Sequence, residues 1–440
     1  MRAMLKLLVI GSLILVLTLP LLLMRGLVHE RQARGAEAAA EIARASSRAQ
    51  RVVGPYLLIE AERVVRVPRG AAAGDAPVRE TVRELVLPET LVADSTLTTE
   101  VRRRGLFGVP LYRDALDLQA RFVVPPPPVP QGEVLSYRRT GAVLGLGLGD
   151  TRGIRSIDLR VDGRALQVEP GSEQAWLMDG VHARLEPAAL DGGVLRVALS
   201  ADLLGTGSLR FVPAASDTRV AVRGDWPHPG FDGNYLPDTR RVGDDGFEAE
   251  WRVSRLASNA QQVLAQCAEV RQGGCHGLDE VVFGLRLVDP VDRYLMTDRA
   301  MKFGLLFLVL VFGAVFFVEA LRGVEVHPVQ YGLTGLALAL FFLLLLALAE
   351  HIGFGAAYLL AATACVGLIA AYMGGVLGGR RRGLAFAGLL ALLYGLLYGL
   401  LSAETYALLV GSVVLFALLA TVMLATRRLD WSRVGRPEGA

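Results

Sequence analysis

The residues of this 440-residue chain best suited to hold a metal or act as nucleophiles are six histidines and three cysteines, and neither set is spaced for that work. A zinc site needs three or four convergent donors, usually including closely spaced pairs. No His-x-His or His-x3-His occurs. His182, in Gly180-Val181-His182-Ala183, and His228, in Asp225-Trp226-Pro227-His228-Pro229, are therefore read as structural turn residues, with a shared metal as the weaker alternative. Gly145, Gly147 and Gly149 are spaced like a phosphate loop, but such a loop must open onto a helix N-terminus. Here Thr151-Arg152-Gly153 follows in a strand-rich region, so these are read as turn glycines. No GxSxG, HExxH or P-loop pattern appears with the flanking elements its mechanism requires. The expectation is a protein that is not an enzyme and holds no cofactor and no metal.

Three other groups of residues carry candidate roles. Cys267 and Cys275, eight positions apart in a polar region, form a disulfide if that region faces an oxidising compartment and are two unlinked thiols otherwise. Trp226, His228, Phe231 and Tyr235 crowd a loop rich in proline and glycine. Such a loop is a candidate interaction surface for a peptide or lipid, against the alternative of packing on its own domain. Glu319, His327, Glu350, His351 and Glu404 lie among apolar segments, where an ionisable group deep in the membrane is by default a functional hypothesis. All five sit at segment ends, within reach of headgroups or water, so a proton relay is the weaker reading. Glu319 or Glu325 pairing with Arg380, Arg381 and Arg382 is the plainer one, and Glu350→Gln is expected to leave function nearly intact. Gly395 with Gly399, and Gly374 with Gly378, offer small faces for close helix approach, and Tyr394 and Tyr398 share a helix face as packing anchors.

The elements that must position these residues divide sharply along the chain. Apolar residues make up 52%, yet the uninterrupted apolar runs lie only in residues 5–24 and 303–426. Residues 1–24 form an N-terminal transmembrane helix behind Arg2 and Lys6, since a span needs about 20 apolar residues. Met24-Arg25-Gly26-Leu27-Val28 lacks the small residues of a cleavage site, so the anchor stays on the chain. Residues 25–50, rich in Ala, Glu and Arg, extend as a juxtamembrane helix. Residues 51–302 form a β-rich extracytoplasmic domain. Residues 303–426 form an all-α bundle of five transmembrane helices at 303–321, 331–349, 354–376, 384–401 and 407–425, and 427–440 is a tail.

Cationic loops resist translocation, so Arg380 to Arg382 and Arg427, Arg428 and Arg433 mark the cytoplasmic side. Both termini are then cytoplasmic and the large domain periplasmic. Arg25, Arg31 and Arg34 speak against this orientation, but long translocated domains escape the rule. With a net charge of +3 and no basic stripe, a nucleic-acid partner is excluded.

In the middle region the apolar period is two. Phe247, Ala249, Trp251 and Val253 alternate with Glu248, Glu250, Arg252 and Ser254, which predicts a half-buried strand. Ile157, Leu159 and Val161, then Asp162-Gly163, then Leu166 and Val168 predict a hairpin. Further strands are expected at 81–87, 118–124, 194–199, 209–212 and 219–223. Such spacing without long helices predicts one or two β-sandwiches, with Pro125 to Pro128 marking an internal boundary.

Several motifs, in order, resemble the CreD family of bacterial inner-membrane proteins. In the middle region these are Arg104-Gly105-Leu106-Phe107 with Val109-Pro110-Leu111-Tyr112, Asp150-Thr151-Arg152-Gly153-Ile154, Asp225-Trp226-Pro227-His228-Pro229, Asp244-Asp245-Gly246-Phe247 and Pro290-Val291-Asp292. In the apolar half they are Arg299-Ala300-Met301-Lys302, His327-Pro328-Val329-Gln330-Tyr331, Glu350-His351-Ile352-Gly353-Phe354, Arg380-Arg381-Arg382-Gly383 and Tyr394-Gly395-Leu396-Leu397-Tyr398. The resemblance covers roughly residues 54–431, and residues 131–145 and 267–276 depart from it. It implies a multi-pass protein of the inner membrane, associated with cell-envelope integrity and stress response under a two-component sensor system, with no catalytic residue to carry over. The expected partners are the lipid bilayer and another envelope protein or component. The rival reading is a transporter or lipid-handling protein whose polar bundle residues line a path; an envelope enzyme using His228 and Asp225 is weaker still.

Overall fold

The computed structural model describes residues 2–402 apart from 68–75, 132, 178, 192, 270–274, 276, 290–292, 323–325 and 377, and beyond them 409, 411–413, 416, 420 and 423. The chain forms two compact units: Met1–Ala36 with Val291–Ala440, and Glu37–Pro290.

The described residues of the second unit form sixteen strands in two sheets. In chain order they are β1 (Gln50–Val67), β2 (Ala76–Val86), β3 (Thr90–Arg104), β4 (Phe107–Val123), β5 (Val134–Gly147), β6 (Ile154–Val161), β7 (Arg164–Leu166) and β8 (Glu169–Pro170). There follow β9 (Gly180–Leu185), β10 (Val194–Thr206), β11 (Ser208–Val212), β12 (Asp217–Gly224), β13 (Pro229–Gly233), β14 (Thr239–Gly243), β15 (Gly246–Ser254) and β16 (Phe283–Leu287). One sheet runs β13-β16-β11-β1-β5-β9-β8, with β2 also on β1; the other runs β14-β15-β12-β3-β4-β10-β6-β7. Two junctions are parallel, β1 with β11 and β12 with β3. One core cluster draws on both sheets, including Leu57, Ile59 and Leu144 from the first and Leu116, Leu118, Phe122 and Trp251 from the second, which makes the unit sandwich-like. Its alternation is the one expected in β15, where Phe247, Ala249, Trp251 and Val253 are buried and their neighbours exposed.

The Asp162-Gly163 hairpin forms between β6 and β7, and both turn residues take positive φ, 49° and 83°. Residues 125–128 lie outside any strand, between β4 of one sheet and β5 of the other. Gly145 and Gly147 are not turn residues. Both lie in β5, where a Cβ on Gly145 would strike the Tyr56 ring and one on Gly147 would strike Leu177. Helix α2 (Ala260–Glu269), a short helix that the strand pattern did not mark, packs Ala260, Leu264 and Cys267 into a second, smaller core with Trp176.

The first unit is helical. The segments expected as a transmembrane and a juxtamembrane helix are one element: α1 runs unbroken over Arg2–Ala45, because Ala, Glu and Arg after the apolar run are strong helix formers. Then come α3 (Arg293–Lys302), α4 (Gly304–Arg322), α5 (Pro328–Ile352), α6 (Phe354–Val376) and α7 (Arg380–Ser402). Among the described residues four helices, α1, α5, α6 and α7, are long and apolar enough to cross a membrane, and α3 with α4, bent by 45°, make a fifth if the pair is one span. Helix α3 clusters with these helices in the compact unit that resumes at Val291. The fifth expected bundle helix, 407–425, and the tail 427–440 fall largely outside the described residues, as do Glu325 and Glu404.

One face of α1 is buried at Ile10, Leu17, Leu21, Met24 and Val28, a spacing of seven, four, three and four that keeps them on one stripe. A side chain at Gly335 of α5 would fall on Leu17 and Phe312, so this glycine sets how closely α5 and α1 approach. Helices α6 and α7 approach at Gly374 and Gly383, where a Cβ on Gly383 would lie 2.8 Å from the Gly374 Cα. Gly395 and Gly399 have no neighbour at their Cβ positions, so the small face expected there is not used within the described chain.

Candidate functional site

Three carboxylates of the bundle each meet a cation from α1. Lys6 pairs with Glu319 of α4, whose second oxygen accepts from the Tyr331 hydroxyl of α5 at 2.9 Å. Arg25 Nε lies 3.2 Å from Asp298 of α3, which also holds Lys302 at 2.9 Å. Arg31 Nε lies 3.4 Å from Glu350 at the end of α5, and Tyr294 of α3 donates to the same oxygen at 3.2 Å. At 1.5 Å per residue, Lys6 and Arg31 are about 37 Å apart along α1. The hydrocarbon core is about 30 Å thick, so the stretch between these two pairs is long enough to cross it.

Glu350 stands at a helix end, as expected, but it is buried with 9% exposure, and its carboxylate meets Arg31 and Tyr294. Glu319 pairs with Lys6; Glu325, the alternative partner expected for Arg380 to Arg382, lies outside the described residues. The signal missed was that Lys6, Arg25 and Arg31 bracket the apolar run of α1 as Glu319, Asp298 and Glu350 bracket the runs of the bundle. His351 is exposed, its Nδ1 3.1 Å from the Ala347 carbonyl. His327 is the N-cap of α5: its ring accepts from the Val329 amide at 3.3 Å while the Gln330 side chain accepts from the His327 amide at 3.0 Å. Tyr394 packs edge-on against Phe307 and Phe341, with centroids 4.6 and 4.7 Å apart, and Tyr398 lies 5.1 Å from Tyr358.

In the β unit the aromatic loop turns inward. Trp226 Nε1 donates to the Val288 carbonyl at 2.9 Å, Phe231 stands edge-on to Trp251 at 5.8 Å, and Tyr235 stands edge-on to Phe283 at 6.0 Å. His228 accepts at its backbone carbonyl from Val288 at 3.2 Å. His182 is a buried strand residue of β9, not a turn residue, with Nδ1 3.0 Å from the Gly171 carbonyl. Its nearest charged neighbours are Glu169 and Glu173 rather than His228. Among the described residues no group of three His, Cys, Asp or Glu is arranged to hold a metal ion. Cys267 and Cys275 are joined as a disulfide with Cα atoms 5.1 Å apart, and residues 270–274 and 276 between and beside them lie outside the description.

Two aspartates stand out electrostatically. Asp114 of β4 is fully buried, with Oδ1 accepting from Ser95 Oγ at 2.6 Å and Oδ2 making no hydrogen bond. Burial pushes its carboxyl up to about 7, the Ser95 hydrogen bond opposing and the charge of Asp202 adding. Asp150 is the opposite case: the Arg152 side chain, with the Arg48 and Arg152 amides, holds it down at about 2 against desolvation. Arg152 also donates to the Arg44 carbonyl at 2.7 Å, and Gln50 Nε2 donates to the Asp150 and Leu204 carbonyls at 2.9 and 2.8 Å. The Asp150-Thr151-Arg152-Gly153 motif thus ties the last turn of α1 to the start of β1 and is structural.

The family model for the inner membrane protein CreD matches residues 2–432. The inner membrane protein CreD of Escherichia coli (strain K12) is 32% identical over 435 residues, covering 97% of this chain and 93% of its own length. With motifs, spans and full-length match in agreement, the chain is a membrane protein that belongs to the CreD family of inner membrane proteins.

Proposed function

We propose that this protein is a non-catalytic structural component of the bacterial inner membrane that supports cell-envelope integrity and the response to envelope stress. Its β unit lies in the periplasm, where it meets another envelope component, and both its termini lie in the cytoplasm. The observation that carries the reading is the pairing of Asp298, Glu319 and Glu350, the three described carboxylates of α3 to α7, with Arg25, Lys6 and Arg31 of α1. A carrier's carboxylate must change protonation during its cycle, and a cation held against it opposes that change. The orientation rests on the arginines at 380–382 and 427–428. Arg25 and Arg31, which oppose it by number, are engaged by bundle carboxylates, and Arg34 by Glu30.

The rival, a transporter or lipid-handling protein, has one observation in its favour: a groove between α6 and α7 lined by Tyr358, Ala362, Tyr394, Gly395 and Tyr398. Complementation of a deletion strain under envelope stress, with protein abundance measured, separates the two. In the structural reading Glu350→Gln keeps the acceptor for Tyr294 and retains function at matched abundance. Complete loss of function at normal abundance favours the transporter.

A further inference from the structure

His182 is buried, with 4% exposure, and stands opposite Glu169 in the short β8–β9 pairing. The contact of its Nδ1 with the Gly171 carbonyl requires that nitrogen to carry the proton, which leaves Nε2 of a neutral ring as a bare acceptor. Nε2 is buried without a hydrogen bond and faces two carboxylate oxygens, Glu169 Oε2 at 3.5 Å and Glu173 Oε1 at 3.7 Å. A lone pair set against two anions is unfavourable. A proton on Nε2 turns both contacts into attractions.

The other charges around this ring are placed so that one contact responds most. Arg83 of β2 reaches Glu173 at 3.3 Å and Glu60 of β1 at 2.7 Å, and Arg184 of β9 lies 3.8 Å from Glu173. Those arginines hold Glu173 whatever the state of the histidine. Glu169 has no other described ion pair. On the neighbouring strands, β5 offers Gly145 opposite His182, and Tyr56 of β1 donates to the Ser172 carbonyl with its phenol pushed up, chiefly by burial.

Residues 171–177, which this contact ties down, cover the face of the β1/β5 sheet turned away from the sandwich core. Leu177 packs on Tyr56, Leu58 and Val143, and Trp176 joins the α2 cluster. Glu173 takes a left-handed φ of 55°, held by the Gln174 amide donating to Ser172 Oγ at 3.2 Å.

We propose that His182 is a pH-operated latch: protonated at Nε2 it fastens the 171–177 flap through Glu169 and Glu173, and neutral it lets the flap loosen from the apolar face beneath. Imidazole is the side chain that ordinarily changes charge between about pH 5 and 8.

Hydrogen exchange read by mass spectrometry on the full chain in nanodiscs, corrected for intrinsic exchange rates, tests it. Protection of the 174–177 amides should fall about tenfold from about pH 5.5 to about pH 8, while the β1–β5 ladder keeps its protection. Glu169→Gln, at a half-exposed side chain, leaves both arginines on Glu173 and should shrink the step to about threefold or less. His182→Gln, whose amide can donate at any pH, should abolish it. Constant flap protection in the parent protein overturns the latch, as does an equal step in both variants with the ladder intact.

Discussion

Asp114 carries the clearest expected pH response of the β unit. Its folded-state value of about 7 lies above the ordinary 3.8, so the folded unit binds the proton more tightly than the unfolded chain does. The stabilisation is fully present below about pH 4 and is lost progressively as pH rises through about 7. A difference of that size corresponds to an upper limit on the order of 4 kcal/mol. Asp150, held down at about 2, works the other way: its contribution is present above about pH 4 and is lost as pH falls through about 2. Asp114→Asn keeps an acceptor for Ser95 and should flatten the alkaline side, raising the melting temperature at pH 8 above that of the parent. An unchanged pH profile would show that the carboxyl is not buried as described. Asp114 could have been found from parity alone, since it shares a face of β4 with Tyr112, Leu116 and Leu118. Its role could not, because the Ser95 partner comes from the register with β3.

Among the elements, strands were the most legible, since a period of two fixes which side chains turn inward in β15 and β6. Helix α2 was not, because a ten-residue helix among strands leaves little periodic signal, and its burial depends on Trp176, distant in sequence. The Cys267–Cys275 bridge closes a short loop beginning on that helix. By the chain-entropy model it constrains the unfolded state by about 2–3 kcal/mol. Intact mass of the unreduced protein should be two hydrogens below the dithiol form, and recovery of both cysteines as free thiols would refute the pairing. In the bundle, Gly335 is the sharpest test of α1 as a packed member instead of a loose anchor. Gly335→Val places methyls on Leu17 and Phe312 and should cost about 1–3 kcal/mol, read as a lower melting temperature in detergent. Gly388, with open space at its Cβ position, is the control: Gly388→Ala should leave the melting temperature within a degree or two of the parent.

For the whole molecule, the arrangement of an apolar helix, a polar β unit and an apolar bundle was legible because apolar runs and period-two stretches hardly overlap. What escaped was how α1 joins the bundle, since ion pairs between residues 273 to 319 positions apart leave no local pattern. The orientation predicts a cytoplasmic signal from a reporter fused at Ala440 and a periplasmic one from a reporter near Gly163; a periplasmic signal at Ala440 would overturn it. The measurement that bears most directly on the central claim, that α1 is clamped to the bundle by charge pairs that support structure and not transport, is a charge exchange between Arg31 and Glu350. Each single reversal, Arg31→Glu or Glu350→Arg, should lower stability by about 1–3 kcal/mol, Arg31 being partly solvated, and reduce abundance. The double exchange should restore the melting temperature, the abundance and complementation under envelope stress together. A double variant that is stable and abundant yet fails to complement would contradict the account, because it would show that Glu350 is needed for its chemistry and not for its pairing.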